Sequence, residues 1–502
     1  MIHWERLSRH LDRLARRARP GDLLSLTLPL PALPEGLSAP DEWFHWQRPD
    51  AGLTLIGLGA AFRIETSGGG RFGALAAGMA GLRAAWHHDD GNSGLSALAF
   101  SGFAFAPENA APRHADGGFP NACLVVPAVL LREEGGRAWA TFSCAATESG
   151  AALAGWRRMI ESQSARHGAP SPHLVRLQAP LPDLAFLARG RAALSAIERG
   201  LADKLVLTRS VRFRSDRDIA AGPVLAALAA RNPSCAVWAA GRNDRVFLGA
   251  SPERLLAVHG PAIGADAIAG TTWLANVGDE KRAGPPQVFL GPLGGECSTR
   301  PKAAGQPKAG PAKRDAALPH KAASSGGACF PLSLADGKNR REHDLVAESV
   351  AESLAPLCEE ITVPDAPEIV RIGDLQHLRR RITGRREPGI EAFDLLAQLH
   401  PTPAVGGTPT AVALDWLAAH NDRRGAWYTG GIGWLAGNGD ADFAIALRCG
   451  LLSGRDITLF AGAGFVAGSD PRQEMAETEA KLSPMLAALR SGRNTSAKDE
   501  AA

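Results

Sequence analysis

The chain has 502 residues and a net charge of +3, from 55 lysines and arginines against 52 aspartates and glutamates. This length allows about three domains, or one large domain with appendages. Its 45% hydrophobic and 21% charged residues are typical of a globular protein and exclude a wholly disordered or fibrous chain. A charge so close to neutral predicts no strongly basic surface, so no nucleic acid is expected as a partner.

The short apolar runs and the scattered cysteines indicate which cellular compartments fit the chain. Stretches such as Cys123 to Leu131 stop far below the roughly 18 apolar residues of a membrane span, so no membrane is expected. The N-terminus predicts an amphipathic surface helix and then a strand, because three prolines interrupt the apolar part that a signal peptide needs. Seven cysteines without any C-x-x-C pair fit neither a disulfide framework nor a zinc site, and they favour a reducing cytoplasm.

Apolar segments separated by Gly and Pro predict an antiparallel sheet in the first part of the chain. The predicted strands cover residues 53–62, 95–105, 122–131 and 138–144. A helix is predicted over 192–201, followed by a strand over 204–213 with alternating apolar residues. With no internal repeat and no regular βαβ rhythm, the pattern favours an α+β fold with large antiparallel sheets.

Residues 283–333 differ in composition from the rest of the chain. They hold eight glycines and eight prolines, and six basic residues against two acidic ones. Such a segment cannot bury enough apolar surface to offset its chain entropy, so a disordered insertion is predicted. The alternative is a basic tether for a partner. The tail at 491–502 is predicted to be frayed.

A helix with an inward-facing carboxylate is predicted over residues 339–359. Apolar residues form a helical stripe there, and Glu342 precedes Val346 of that stripe by four positions, which places both on one side. A carboxylate aimed inward is costly unless it has a cation or a hydrogen-bond partner. The alternative is that Glu342 merely occupies the first helical turn, where the helix dipole favours acids.

A glycine-rich segment precedes the last predicted helix. Residues 457–460 predict a strand, 461–468 a loop with several glycines, and 471–483 a helix that begins with proline and is broken by Pro484. Backbone N–H groups in such a loop can meet a small anion. Arg448, at the end of another predicted strand, provides a bidentate carboxylate partner if it points the same way, and otherwise faces water.

The last predicted helix carries Glu474, Glu477 and Lys481 on one face. One alternative is a solvent-exposed ion pair between Glu477 and Lys481, worth about 0.3–0.5 kcal/mol. The other is a site in which Glu342, Glu474 and Glu477 hold Mg²⁺, which prefers carboxylate oxygens. The spacing allows both.

Two further ionisable residues stand beside apolar sequence. Lys204 begins a predicted strand, and Glu253 follows a turn after another strand. A lysine at a strand edge commonly prevents pairing with other chains, and a glutamate after proline is commonly a turn residue. Each is also a candidate for proton transfer, since both residue types can act as general acids or bases.

Six motifs occur in the order that is seen in the chorismate-utilising enzymes. They are KLVLTR at 204–209, FLGASPER at 247–254, REH at 341–343, LHPTPAVGG at 399–407, FAGAGFVAGSD at 460–470 and EMAETEAK at 474–481. The chain resembles this family, and within it the isochorismate synthases, strongly over 187–490 and weakly over 43–62 and 101–107. The resemblance implies an α+β fold of stacked antiparallel sheets flanked by helices, with a catalytic region at 187–490 and an N-terminal portion at 1–186 packed on it.

The resemblance also implies a reaction, the conversion of chorismate to isochorismate. In enzymes of this kind water attacks C2 of chorismate and the C4 hydroxyl leaves. The lysine matching Lys204 is the general base that activates the water, and the glutamate matching Glu253 is the general acid that protonates the departing hydroxyl. Water is a poor nucleophile and hydroxide a poor leaving group, so each needs a positioned proton partner.

A magnesium site follows from the same resemblance. Glu342 and Glu477 match the ligands of Mg²⁺, and Glu474 lies close by and acts through water. The metal would neutralise the ring carboxylate of chorismate. Of the two alternatives given above for the last predicted helix, an exposed ion pair or a Mg²⁺ site, the resemblance therefore supports the Mg²⁺ site.

Contacts to chorismate follow as well. Residues that would hold its enolpyruvyl carboxylate are Tyr428, Arg448, Lys481 and the backbone of Gly462 and Gly464. Thr271, His377 and Thr402 match positions that contact the substrate, and His377 is counted among the catalytic residues. The alternative for His377 is a polar side chain that is buried for hydrogen bonding.

Other activities are compatible with parts of this pattern. A salicylate synthase matches every residue named above but goes on to eliminate pyruvate, and the insertion makes a non-catalytic chorismate-binding protein conceivable. Anthranilate and aminodeoxychorismate synthases use ammonia and usually depend on a glutaminase. The sequence Gly295-Glu-Cys297-Ser298 lacks the glycine that follows a glutaminase nucleophile, so neither a fused glutaminase domain nor a glutaminase subunit is expected.

Overall fold

A computed structural model describes residues 2–34, 41–107, 118–161, 171–177, 180–273, 337–372 and 375–491. The predicted insertion at 283–333 lies outside these residues, and so does the predicted tail from residue 492 onward. The described part of the chain forms two large sheets with helices packed against them.

Nine α-helices occur in the described ranges: α1 Trp4–Ala15, α2 Arg71–Ala84, α3 Ser149–Glu161, α4 Pro180–Glu198, α5 Ala221–Arg231, α6 Gly337–Leu354, α7 Ala392–Leu399, α8 Thr410–Ala419 and α9 Pro471–Leu489. None of these described helices is both long and apolar enough to cross a membrane. Helix α1 buries Leu7 and Leu11 and exposes its arginines, which confirms the amphipathic helix predicted at the N-terminus.

The strands of the same ranges are β1 Leu23–Leu30, β2 Glu42–Arg48, β3 Leu53–Leu58, β4 Phe62–Thr66, β5 Trp86–Asp89, β6 Leu98–Phe103, β7 Ala122–Val126, β8 Val129–Glu134, β9 Arg137–Ala145, β10 Leu174–Arg176, β11 Lys204–Ser215, β12 Ala236–Arg242, β13 Arg245–Ser251, β14 Arg254–His259, β15 Ala262–Trp273, β16 Cys358–Thr362, β17 Glu368–Ile372, β18 Leu375–Arg386, β19 Gly407–Thr408, β20 Gly431–Ala436, β21 Ala441–Ile445, β22 Cys449–Ser453 and β23 Asp456–Val466.

These strands form two sheets that are stacked face to face. The first has the order β10-β11-β23-β22-β13-β12-β2-β3-β8-β9-β1-β5, with β19 paired to β11, and the second has the order β16-β18-β15-β14-β21-β20-β6-β7-β4, with β17 paired to β18. Strands β1 and β5 run parallel, whereas β11 pairs with β23, and β15 pairs with β18, in antiparallel fashion. Phe44 of β2 stacks on Phe100 of β6 at 5.1 Å between ring centroids, inside a core shared by both sheets. The predicted α+β fold with stacked antiparallel sheets is confirmed.

Both sheets combine strands from before and after residue 186. The first sheet packs its other face on α1, α3, α5 and α9, while α2, α4, α6 and α7 pack around a second core. The division into portions at 1–186 and 187–490 stays a prediction.

Two of the predicted strands are each divided in the structure into two strands, which belong to different sheets. The segment at 53–62 forms β3, turns at Gly59 with φ +63, and begins β4 in the other sheet. The segment at 122–131 likewise divides into β7 and β8 around Pro127. An alternating apolar pattern does not record which sheet a strand joins, so the sequence predicted one strand in each place.

Two helix ends also differ from prediction. Helix α6 ends at Leu354 instead of continuing to residue 359, because Pro356 cannot extend the helical hydrogen bonds. The break predicted at Pro484 is wrong, since α9 continues to Leu489. Met485 and Leu489 are buried in the core beneath the first sheet, and this burial offsets the hydrogen bond that Pro484 removes.

Candidate active site

One pocket receives side chains from both sheets and from helices α6 and α9. Every site residue predicted from the sequence lines it, except Thr402. These lining residues are Lys204, Glu253, Thr271, Glu342, His377, Tyr428, Arg448, Gly462, Gly464, Glu474, Glu477 and Lys481. Charged groups that are far apart along the chain therefore meet in a single cavity.

Lys204 is buried at the start of β11, where its side chain is 1% exposed. Strand β11 pairs with β23 on one side and, at Lys204 itself, with β19 on the other. A lysine that guards a strand edge would face solvent beside an unpaired strand, so that alternative is wrong. The Nζ atom of Lys204 lies 2.9 Å from Oε1 of Glu342, and this ion pair compensates the buried ammonium.

Most of the glycine-rich segment belongs to strand β23, so the loop predicted at 461–468 is wrong up to Val466 and a turn follows only at 467–468. Gly462 and Gly464 both pair with β11. A Cβ atom at position 464 would lie 2.7 Å from Oε1 of Glu342 and 3.0 Å from Cε of Lys204, so one of these side chains would have to move. The bare backbone of β23 therefore makes room for side chains from α6 and β11, and its contacts to substrate stay a prediction.

Two carboxylates in the pocket are paired with lysines. Glu342 lies beyond the first turn of α6 and binds Lys204, so the first-turn alternative is wrong. Glu477 forms an ion pair with Lys481, which also donates to the carbonyl of Gly462 at 2.9 Å. The side chains of Glu477 and Lys481 are only 19% and 13% exposed, so the alternative of a solvent-exposed pair is wrong.

The donor set of the pocket suits Mg²⁺. Glu342 on α6 and Glu474 and Glu477 on α9 offer only carboxylate oxygens, which Mg²⁺ prefers. Within the described ranges, no group of three or more His, Cys, Asp or Glu side chains is already close enough to hold a metal ion. Because Glu342 and Glu477 are engaged by lysines, a bound cation would have to replace these partners. The magnesium assignment stays a prediction.

Glu253 lies in the short turn between β13 and β14 and is 3% exposed. Burial, together with the negative charge of nearby Asp266, raises the pKa of Glu253 to about 8. Its Oε1 atom has no hydrogen-bond partner among the residues that the structure describes. An ordinary turn glutamate would be solvated, whereas a carboxylic acid that keeps its proton at neutral pH can donate it.

His377 connects Thr271 with Arg448. Arg448 donates from Nη2 to Nε2 of His377 at 3.1 Å, and Nδ1 lies 3.2 Å from Oγ1 of Thr271. Because a guanidinium only donates, the ring proton is assigned to Nδ1. Burial and the charges of Arg448 and Lys481 hold the pKa of His377 well below its usual value. The neutral ring supports the hydrogen-bonding alternative, and a catalytic role for His377 stays a prediction.

Tyr428 and Arg448 lie in backbone segments with unusual conformations. Arg448 has φ +47, and Thr429, which follows Tyr428, has φ +59. Non-glycine residues rarely adopt such angles, and those that do are common at functional sites. The ring of Tyr428 stacks on Phe460 with 5.2 Å between centroids. Arg448 is bound to His377 inside the pocket, so the alternative of a water-facing arginine is wrong.

Thr402 is the predicted site residue that the structure does not bring to the pocket. Its side chain is buried, and its hydroxyl has no hydrogen-bond partner among the described residues. The nearby Ala404 and Val405 line the pocket instead. Two polar lining residues, Asn339 and Thr429, were not predicted, and their only sequence signal is that each lies close to a predicted site residue, Glu342 or Tyr428.

Known proteins resemble this chain over most of its length. The "Salicylate biosynthesis isochorismate synthase" of Pseudomonas aeruginosa is 30% identical over 453 residues, which cover 89% of this chain and 84% of that protein. The "Isochorismate synthase MenF" of Bacillus subtilis is 27% identical over 458 residues, which cover 89% and 87%.

The solved structure of the menaquinone-specific isochorismate synthase MenF from Escherichia coli has the same fold. It superposes with a TM-score of 0.70 at 23% identity and covers 96% of this chain and 99% of that one. A family model described as "Chorismate binding enzyme" matches residues 18–283 and 331–490. This chain therefore belongs to the chorismate-binding enzyme family.

Proposed function

We propose that this protein is an isochorismate synthase, an isomerase that adds water at C2 of chorismate and releases the C4 hydroxyl. The observation that carries the proposal is the burial of Lys204 and Glu253 in one pocket. An amine can accept the proton of the attacking water, and a carboxylic acid can give a proton to the leaving group. Relatives that match 89% of this chain are named isochorismate synthases, which supports the proposal.

Lys204 is the general base in this reaction. Water becomes a sufficient nucleophile when a positioned group takes its proton during the attack. The amine form of Lys204 is the form that can take this proton, and Glu342 lies beside the amine nitrogen at 2.9 Å.

Glu253 is the general acid. The C4 hydroxyl leaves as water if it is protonated as its bond to carbon breaks. The raised pKa of Glu253, about 8, keeps that proton available at neutral pH. One proton is taken at Lys204 and one is given at Glu253, so the isomerisation neither consumes nor releases protons overall.

Chorismate carries two carboxylates, which need cationic or hydrogen-bonding partners in a buried site. Arg448 and Lys481 supply positive charge in the pocket, for the enolpyruvyl carboxylate. Burial raises the pKa of Tyr428, so its phenol stays protonated and can donate a hydrogen bond. Glu342, Glu474 and Glu477 would hold Mg²⁺, which when bound would neutralise the ring carboxylate.

The proposal extends to partners and location. Water is the nucleophile, so the reaction needs no ammonia and no glutaminase subunit. The five described cysteines are all free thiols, which is compatible with the cytoplasmic location that we propose.

We expect kcat/KM for chorismate to fall as the pH rises through about 8, the pKa of Glu253. Below that pH the carboxyl is protonated and can donate, and above it the carboxylate cannot. Initial rates of isochorismate formation at constant ionic strength measure the profile. Asp266→Asn should move the alkaline limb to lower pH, because it removes a negative charge that raises the pKa of Glu253. An alkaline limb that stays in place would contradict this assignment.

Glu477→Gln is expected to lower kcat/KM by roughly 100-fold or more and to weaken Mg²⁺ binding, because a charged ligand becomes neutral. Titration of activity with Mg²⁺, and calorimetry with Mg²⁺ alone, measure the two effects. Glu479→Gln is the matched control: it removes the same charge from the same helix, but that carboxylate pairs with Arg176 and Arg209. An unchanged Mg²⁺ titration in Glu477→Gln would dismiss the ligand assignment.

The proposed function is tested by incubating the purified protein with chorismate and Mg²⁺ and identifying the product. Isochorismate without pyruvate is the expected result. Release of salicylate and pyruvate would instead identify a salicylate synthase. Binding of chorismate without any conversion would identify a non-catalytic binding protein, and either of these results would overturn the proposal.

A further inference from the structure

One buried arginine is bonded to three separate segments of the pocket wall. Arg424 donates to the carbonyl of Val206 at 2.9 Å, to the carbonyl of Val405 at 2.7 Å and to Oγ1 of Thr429 at 2.9 Å. Val206, Val405 and Thr429 all line the pocket, but Arg424 does not. These three residues come from β11, from the connection between α7 and β19, and from the connection between α8 and β20.

Asp422 supplies the counter-charge for this arginine. Its carboxylate accepts hydrogen bonds from Nε of Arg424 at 2.9 Å and from the backbone N–H and the hydroxyl of Thr208 at 2.9 and 2.8 Å. The side chains of Asp422 and Arg424 are fully buried, and the guanidinium lies over the ring of Phe105 at 3.6 Å. A buried ion pair is by itself weak evidence for a stabilising role. The hydrogen bonds from Arg424 to the pocket wall are therefore the informative feature.

The segment that Arg424 holds has a strained backbone. Ala426 and Thr429 have φ angles of +49 and +59, and Tyr428 of the pocket lies between them. Such angles persist in non-glycine residues only where the surroundings impose them. Arg424 donates hydrogen bonds to both Thr429 and Val405, and these two bonds together provide such a constraint.

We propose that Arg424 is a positioning residue, which sets the shape of the chorismate pocket by fixing Val206, Val405 and Thr429 relative to one another. This inference rests on the proposed function, because chorismate is the ligand whose fit it describes. Arginine suits the task, since a planar group with five donors reaches several acceptors at once. Lysine, in contrast, presents a compact charge on a flexible stem.

The test compares Arg424→Lys with Arg189→Lys. Arg189 pairs with the same Asp422 at 3.0 Å and donates to the carbonyl of Thr208, but neither of these partners lines the pocket. Calorimetric titration with chorismate should show a Kd about tenfold higher or more in Arg424→Lys, because buried acceptors lose their donor. Arg189→Lys should stay within about twofold of the wild type at a comparable melting temperature. An unchanged Kd in Arg424→Lys, or equal losses in both variants, overturns the inference.

If Arg424→Lys does not fold, variants of Thr429 provide the test of the inference. Thr429→Val keeps the side-chain shape but removes the acceptor of Arg424, and we expect its Kd to rise about threefold or more. Thr429→Ser keeps the hydroxyl that accepts from Arg424 and should bind chorismate more tightly than Thr429→Val, so equal affinities in the two variants overturn the inference.

The wild type, measured alongside, separates this inference from the proposed function. Chorismate binding without turnover contradicts the proposed function alone. Normal turnover with an unchanged Kd in Arg424→Lys contradicts the inference alone. A wild-type protein that does not bind chorismate overturns both.

Discussion

Lys204→Ala is expected to abolish isochorismate formation and to leave chorismate binding largely intact. A positioned general base contributes about 10²–10⁴-fold, so kcat should fall by at least about 100-fold. Chorismate affinity should change much less, because other cationic side chains of the pocket, Arg448 and Lys481, remain. Initial rates at saturating chorismate and calorimetric titration measure the two quantities separately.

Lys204→Met is the matched variant, because it keeps most of the side-chain volume in this buried position and removes only the amine. If the amine is the base, both variants lose turnover alike. Recovery in the methionine variant would mean that packing against Glu342, not proton transfer, is what Lys204 contributes. Ordinary turnover by either variant would refute its role as the base.

Gly464→Ala should reduce turnover by about 100-fold, although it adds a single methyl group. The new Cβ would lie 2.7 Å from Oε1 of Glu342, 3.0 Å from Cε of Lys204 and 3.6 Å from its Nζ. The first of these contacts is shorter than atoms tolerate, so the carboxylate or the lysine must move. A displacement of about 1 Å at reacting groups costs on the order of 10²-fold in rate. Steady-state rates, together with thermal unfolding, separate this effect from a loss of stability.

Gly264→Ala is the control for that substitution. Gly264 also lies inside a strand, β15, but the nearest atom to a Cβ at this position would be the carbonyl oxygen of Ile382 at 3.9 Å. This variant should keep its turnover. If Gly464→Ala were as active as Gly264→Ala, the observed placement of Lys204 against Glu342 would not matter for catalysis.

Lys204 and Glu253 show how far the sequence alone reaches. Their residue types and positions left each open between a surface role and proton transfer, and only six ordered motifs pointed to a family and an α+β fold. What decides between the alternatives is burial and pairing. Lys204 is enclosed because β19 and β23 pair with β11 on either side, and Glu253 is enclosed in the turn between β13 and β14. Such long-range pairing is not encoded in local spacing.

The wrong or missing predictions also have their cause in contacts between residues that are far apart along the chain. Glycines are poor strand formers, so 461–468 was predicted as a loop, whereas Gly464 lies in β23 because side chains from other elements need its space. Asp422 and Arg424, two residues apart, resemble an ordinary surface turn in sequence. Their importance arises from acceptors on β11 and on the loop that contains Val405, which only the tertiary structure brings together.

Conversion of chorismate in water enriched in oxygen-18 tests the addition of water most directly. The proposed mechanism predicts isochorismate with one heavy oxygen, in the C2 hydroxyl, because that group comes from solvent while the original C4 hydroxyl departs. Mass spectrometry gives the number of labels, and carbon NMR gives their position. Unlabelled isochorismate would mean that the hydroxyl migrates within the molecule, and this result would contradict the mechanism.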